Sequence, residues 1–131
     1  MPKNPELLDL VRGYEFWRDG CAVLISNVCE SLRLAEIAIE PRTIIRFVSD
    51  IECYIDSVKE PNKRPDCYCD QCFRTAFELT EGKDARKQCE ELMRYFLVYL
   101  NDRTWVARTM LIDSAVGVVS CFENITPRKK G

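Results

Sequence analysis

Pro41-Arg-Thr-Ile-Ile-Arg-Phe-Val-Ser-Asp-Ile-Glu-Cys-Tyr-Ile-Asp-Ser-Val58 is the stretch on which the fold turns. Ile44, Ile45, Val48, Ile51, Ile55 and Val58 recur at intervals of three and four. That period paints one face of an α-helix, whereas a strand would alternate every second residue. Glu40-Pro41 stops whatever precedes it, because the residue before a proline is pushed out of the helical region. A helix from about Arg42 to Val58 is therefore expected.

Working upstream, Asn4 can cap and Pro5 can open a helix carrying Leu7, Leu8, Leu10, Val11, Tyr14 and Trp17 to about Asp19. Gly20 offers a break or kink, after which Ala22, Leu24, Ile25, Val28, Cys29, Leu32 and Ala35 continue the helical period to about Ile39. One kinked helix and two helices are both open readings. Downstream, Lys59 to Asp66 holds two prolines and reads as the clearest loop. A helix is expected from Asp70 to Leu79, a turn at Glu81-Gly82, and a long helix from Asp84 to Leu100. Asp102 can cap a last helix to about Phe122, in which Val116-Gly-Val-Val119 is the one place where a strand competes.

The sum is an all-α fold, a compact bundle of five or six helices with a cysteine-rich loop between helices. Its 131 residues suit a single domain over 1–126, followed by a basic tail over 127–131. A hydrophobic share of 47% is too high for a disordered chain. The net charge of −2 and a pI near 5.3 provide no global field to draw in nucleic acid or an anionic membrane. No secretory signal and no membrane-length apolar run is seen, so the expected setting is intracellular and cytoplasmic, with the nucleus as alternative.

The chain has no histidine. That removes Ser-His-Asp and Cys-His nucleophile systems, HExxH zinc proteases and mixed Cys/His zinc sites together. No phosphate-binding glycine loop or nucleophile elbow occurs, and Glu78, Glu81, Asp84, Glu90 and Glu91 read as a solvated helical surface. The expectation is a protein that is not an enzyme.

Eight cysteines remain to be explained. Cys29, Cys89 and Cys121 lie in apolar helical stretches, which favours thiols over disulfides. Cys67, Cys69 and Cys72 form C-x-C-x-x-C after the proline-rich loop, a density that core packing does not require. A turn with this spacing aims soft sulfur donors at one point, as zinc demands. With histidine absent, the fourth ligand should be a cysteine or a carboxylate. Cys53 closes the loop as C-x13-C-x-C-x2-C and is preferred, and Cys89 is the alternative. Zinc is the cofactor expected, with an iron–sulfur cluster as a minor alternative, and Lys63, Arg64 and Arg74 stand near enough in sequence to offset the charge of a zinc–thiolate centre.

The residues Asp66-Cys67-Tyr68-Cys69 and Cys72-Phe73-Arg74, with Phe77 beyond, resemble a short cysteine segment in the zinc-binding half of polyomavirus small t antigens. The resemblance covers roughly a dozen residues, and in that family such clusters hold zinc and dock on a host phosphatase. The family's second cluster and its J domain are missing here, so the resemblance implies a zinc turn and no activity.

Three functions follow as expectations. The first is a small regulatory or interaction protein with a structural zinc, acting on a protein partner or as a homodimer. Its size and style suit a viral-type host-factor antagonist, by analogy alone. The second is RNA or DNA binding through Lys63, Arg64, Tyr68 and Arg74, where basic groups and aromatics interleave. The third is a thiol redox switch at Cys67, Cys69 and Cys72.

Overall fold

A computed structural model describes the backbone of residues 5–60 and 67–125 and the side chains of 19–57, 59–60 and 67–121. The described residues form helices joined by short turns, with no strand. The order is α1 (Pro5–Leu34), α2 (Pro41–Ser49), α3 (Ile51–Lys59), α4 (Tyr68–Leu79), α5 (Lys83–Arg94), a π-helical segment (Tyr95–Tyr99) and α6 (Trp105–Ile125). The proline-rich residues 61–66 and the basic tail lie outside the described residues.

Gly20 does not break the first helix. α1 runs through it, and the reason is a close crossing: a Cβ placed there would come within 2.9 Å of the Leu111 side chain of α6. The glycine is a contact point between helices and not a hinge. The chain leaves α1 through Glu36, the one non-glycine residue with positive φ among those described.

The expected helix over 42–58 is two helices, and Asp50 is where they part. Asp50 closes α2 with its N–H donating to the Phe47 carbonyl at 3.1 Å, while its own carbonyl receives the Tyr54 N–H at 3.0 Å to begin α3. Its carboxylate is turned away to serve α4. The apolar stripe nevertheless carries across the junction, with Ile44, Phe47, Val48, Ile51, Tyr54 and Ile55 all buried.

The long helix expected from Asp84 to Leu100 widens at its end. Leu100 N–H donates to the Tyr95 carbonyl at 2.8 Å, the i→i+5 bond of a π turn. The last helix starts later than expected because Thr104, not Asp102, caps it: the Ala107 N–H donates to Thr104 Oγ1 at 3.1 Å. Val116–Val119 is helical.

α1 and α2 both pack on α6, and α4 lies against α1, α2, α3 and α5. The centre is aromatic. Phe47 meets Phe73 edge-on with centroids 5.9 Å apart, and Phe96 lies 5.3 Å from Phe47. Tyr54 stacks on Phe73 at 5.6 Å. Such pairs contribute roughly 0.5–1.5 kcal/mol each beyond the area they bury. Arg108 is the buried charge of the bundle. Its guanidinium donates to Glu52 at 2.8 Å and to the carbonyls of Arg103 and Asn101 at 2.7 and 3.2 Å, tying α6 to α3 and to the turn before it.

Candidate functional site

The cysteine cluster sits where α4 begins. A helix start leaves its first amides without intrahelical partners. Here a sulfur serves where oxygen usually does: the Asp70 N–H donates to Cys67 Sγ at 3.4 Å, so Cys67 is the N-cap, and α4 begins earlier than the expected Asp70. The Tyr68 N–H donates to Asp50 Oδ2 at 2.7 Å, which fixes α4 to the α2–α3 junction.

Cys67, Cys69 and Cys72 are all buried. Cys69 has no exposed surface, and its thiol donates to the Phe47 carbonyl at 3.2 Å. Cys72 receives the Tyr68 hydroxyl. Burial pushes the Cys67 thiol up to about 11, opposed by the Asp70 N–H and reinforced by Cys53, Asp70 and Asp50. Burial likewise pushes Cys72 up to about 11, opposed by the Tyr68 hydroxyl and by Arg46. Cys69 is raised further, by burial first and then by Cys67, Cys72, Asp50 and Cys53. At pH 7 a thiol at about 11, as for Cys67 and Cys72, is ionised in roughly one molecule in ten thousand.

Of the two candidates for a fourth ligand, Cys53 is exposed on α3 and its charge is felt by Cys67 and Cys69. Cys89 is buried in α5 and raised by burial and by Glu90. Among the described residues no three cysteine, aspartate or glutamate side chains converge on one point. The thiol directions explain this, since Cys69 is turned to a backbone carbonyl and Cys67 caps a helix.

The basic and aromatic residues around the cluster are engaged elsewhere. Tyr68 is buried under the Arg46 guanidinium, 4.2 Å from its ring centroid, and Phe73 is in the aromatic centre. Arg74 Nε pairs with Asp70 at 2.9 Å. Lys63 and Arg64 lie outside the described residues. The cation that does stand by the thiols is Arg46, which sequence reasoning missed together with Asp50 and Tyr54. Their spacing, 46, 50 and 54, is a readable signal, for it puts all three on the side of α2–α3 that faces α4.

A second region stands out at the other end of the chain. Trp105 and Tyr99 are 64% and 63% exposed, and Val98, Val106, Met110 and Val118 are also largely uncovered. α6 buries Arg108, Leu111, Ala115 and Val119 on its inner face. Val106 and Met110, with Gly117, lie opposite, where Asp113 is the only charge between Trp105 and Cys121. A helix apolar on both faces is normally covered on both. No helix among the described residues is long and apolar enough to cross a membrane. Glu78, Glu81, Asp84, Glu90 and Glu91 are exposed, as a solvated surface requires.

No family model, curated protein or solved structure matches this chain.

Proposed function

We propose that this chain is a non-enzymatic interaction protein that binds a protein partner through the outer face of α6 and the turn before it. The observation that carries the reading is the exposed set Trp105, Val106 and Met110 on α6, a helix already packed by its other side, with Tyr99 exposed in the π turn before it. On α6 an exposed aromatic stands beside aliphatic residues with little charge, the composition of a protein-binding patch and not of a phosphate-binding one. A role as host-factor antagonist belongs to the same reading, on size alone.

The test is a photocrosslinking residue placed at Met110 or Val106 in cells. Adducts to one discrete protein, lost when Trp105 is changed to Ala, support the proposal. Adducts to nucleic acid, or none at either position, overturn it.

We also propose a structural zinc held by Cys53, Cys67, Cys69 and Cys72, with Cys89 as the alternative to Cys53. Support comes from three buried cysteines within six residues and from the electrostatic reach of Cys53 to two of them. Loading would turn Cys69 away from the Phe47 carbonyl and convert the thiols to thiolates, with zinc replacing their protons. With Cys53 as ligand, the ion would tie the first turn of α3 to the start of α4. Elemental analysis of protein purified without added metal or chelator tests this, with about one zinc per chain expected and its loss in Cys67→Ser or Cys69→Ser. The redox alternative finds less support, because the raised thiols at Cys67, Cys69 and Cys72 are poor nucleophiles.

A further inference from the structure

The outer face of α5 carries a charge pattern that reads the same in a second copy turned end for end. Asp84, Lys87, Glu91 and Arg94 follow one another at intervals of three, four and three, so they form one seam along the helix, and Val98 extends it into the π-helical segment. All five are exposed. The opposite side is the one packed into the bundle, through Cys89, Leu92 and Phe96. An open groove lies along Lys87, Glu90, Glu91, Arg94 and Tyr99. The order along the seam is acidic, basic, acidic, basic, and within one helix that order does little. Lys87 precedes Glu91, the less favourable direction for a pair four residues apart, and among the described residues none of the four makes an ion pair inside its own chain.

Between two copies the order is self-complementary. When two α5 helices run antiparallel about a two-fold axis at the level of Cys89, Asp84 of each copy faces Arg94 of the other, and Lys87 faces Glu91, over about 15 Å of helix. A parallel pair would set every charge against itself. The ends fit as well, since the antiparallel direction carries Val98 of one copy, 54% exposed, toward the start of α5 in the other, which follows the 45% exposed Leu79. Glu90 flanks the seam and comes near its own counterpart, but Lys87 of the second copy lies at almost the same level and offsets it. We propose that α5 is a self-association face that joins two copies of this chain antiparallel through Asp84, Lys87, Glu91 and Arg94, the isologous contact of a two-fold dimer. This goes beyond the α6 reading above and uses none of Trp105, Val106 and Met110. Exposed charge pairs are individually weak and screened by salt, so the dimer forms at raised concentration and loosens as salt is added.

Sedimentation velocity on the full chain, over a concentration series up to a few hundred micromolar, tests this. The wild type should move from 15.2 kDa toward twice that mass as concentration rises. Lys87→Glu with Arg94→Glu makes the seam wholly acidic, and Asp84→Lys with Glu91→Lys makes it wholly basic. Each reversed chain alone should stay monomeric, and an equimolar mixture of the two should associate, because acidic then faces basic at every position. The milder Lys87→Gln with Arg94→Gln should weaken association roughly 10-fold, and it decides the matter if a reversed seam unfolds α5, which circular dichroism would show. Trp105→Ala should dimerise as the wild type does, which keeps this face separable from that of α6. A wild type monomeric throughout overturns the proposal. So does a reversed or glutamine seam that dimerises as the wild type does, and so do folded reversed chains whose mixture stays monomeric.

Discussion

Asp50 Oδ2 accepts the backbone N–H of Tyr68 at 2.7 Å, so one carboxylate holds the first amide of α4 from the junction of two other helices. The bond is charge-assisted and partly buried, and it sets the position of the whole cysteine turn. Asp50→Ala should lower unfolding free energy by about 1–3 kcal/mol in urea titrations, and Asp50→Asn by less, since the amide oxygen can still accept. Equal loss in both variants would mean that the contact is incidental.

Arg108 and Glu52 form the second fastening, between α6 and α3. Removing Glu52 leaves a guanidinium that is only 7% exposed with two carbonyls and no counter-charge. Glu52→Ala should cost about 2 kcal/mol and Arg108→Ala about 3 kcal/mol, the latter larger because two carbonyl partners are orphaned as well. The double variant should cost clearly less than both losses together, as a double-mutant cycle would record.

The thiols give the metal-free protein an alkaline limit. Cys67 and Cys72 are at about 11 in the folded chain against an ordinary 9.0. Below pH 9 both folded and unfolded chains keep these protons, and stability is at its full value. Between 9 and 11 the unfolded chain gives them up while the folded chain does not, so unfolding is favoured as pH rises, and the fall levels off above 11. Thermal midpoints in reducing buffer without metal should therefore decline from pH 9 upward, and decline less in Cys67→Ala or Cys72→Ala. A flat profile across that range would contradict the burial described here.

Access orders the cysteines. Cys53 and Cys121 are exposed, whereas Cys21, Cys67, Cys69, Cys72 and Cys89 are buried. Iodoacetamide at pH 7.5, followed by peptide mass mapping, should modify Cys53 and Cys121 first and leave the buried five markedly slower, because burial denies the reagent access to them. Rapid labelling of Cys67 would show that the start of α4 opens easily.

Two glycines should respond in opposite ways. Gly117 has open space above it, so Gly117→Ala should add about 0.5–1 kcal/mol through helix propensity. A Cβ on Gly20 would lie 2.9 Å from Leu111 Cδ2, so Gly20→Val should cost about 1–3 kcal/mol by overpacking. Circular dichroism melts of the two variants suffice to check both.

The helices were legible because their stripes keep period, and the core residues Leu24, Val28, Leu32, Phe96 and Leu100 lie on those stripes. What sequence could not give were the places where a side chain from elsewhere claims a backbone group. Asp50 looks like any polar residue in a helical run until Tyr68 is brought to it, and that long-range bond coincides with the break between α2 and α3. Cys67 as a cap was hidden because sulfur is an uncommon substitute for the usual oxygen. At the site, the spacing of Cys67, Cys69 and Cys72 was plain, and the four-residue spacing of Arg46, Asp50 and Tyr54 marked one shared side, but that this side meets α4 is decided by packing.

The π turn at Tyr95–Tyr99 fixes more than local geometry. A wider turn accommodates one residue more than the α-helix around it would hold, so Phe96 and Leu100 both stay inside while Val98 and Tyr99 swing outward. Removing a single residue from this segment would close the turn to α-helical width, and the deletion would be absorbed there without turning the chain beyond it. The outward aim of Val98 and Tyr99 is thus encoded in a count of residues as well as in their identity, and a one-residue deletion there would reshape the surface beside Trp105 while leaving α6 in place.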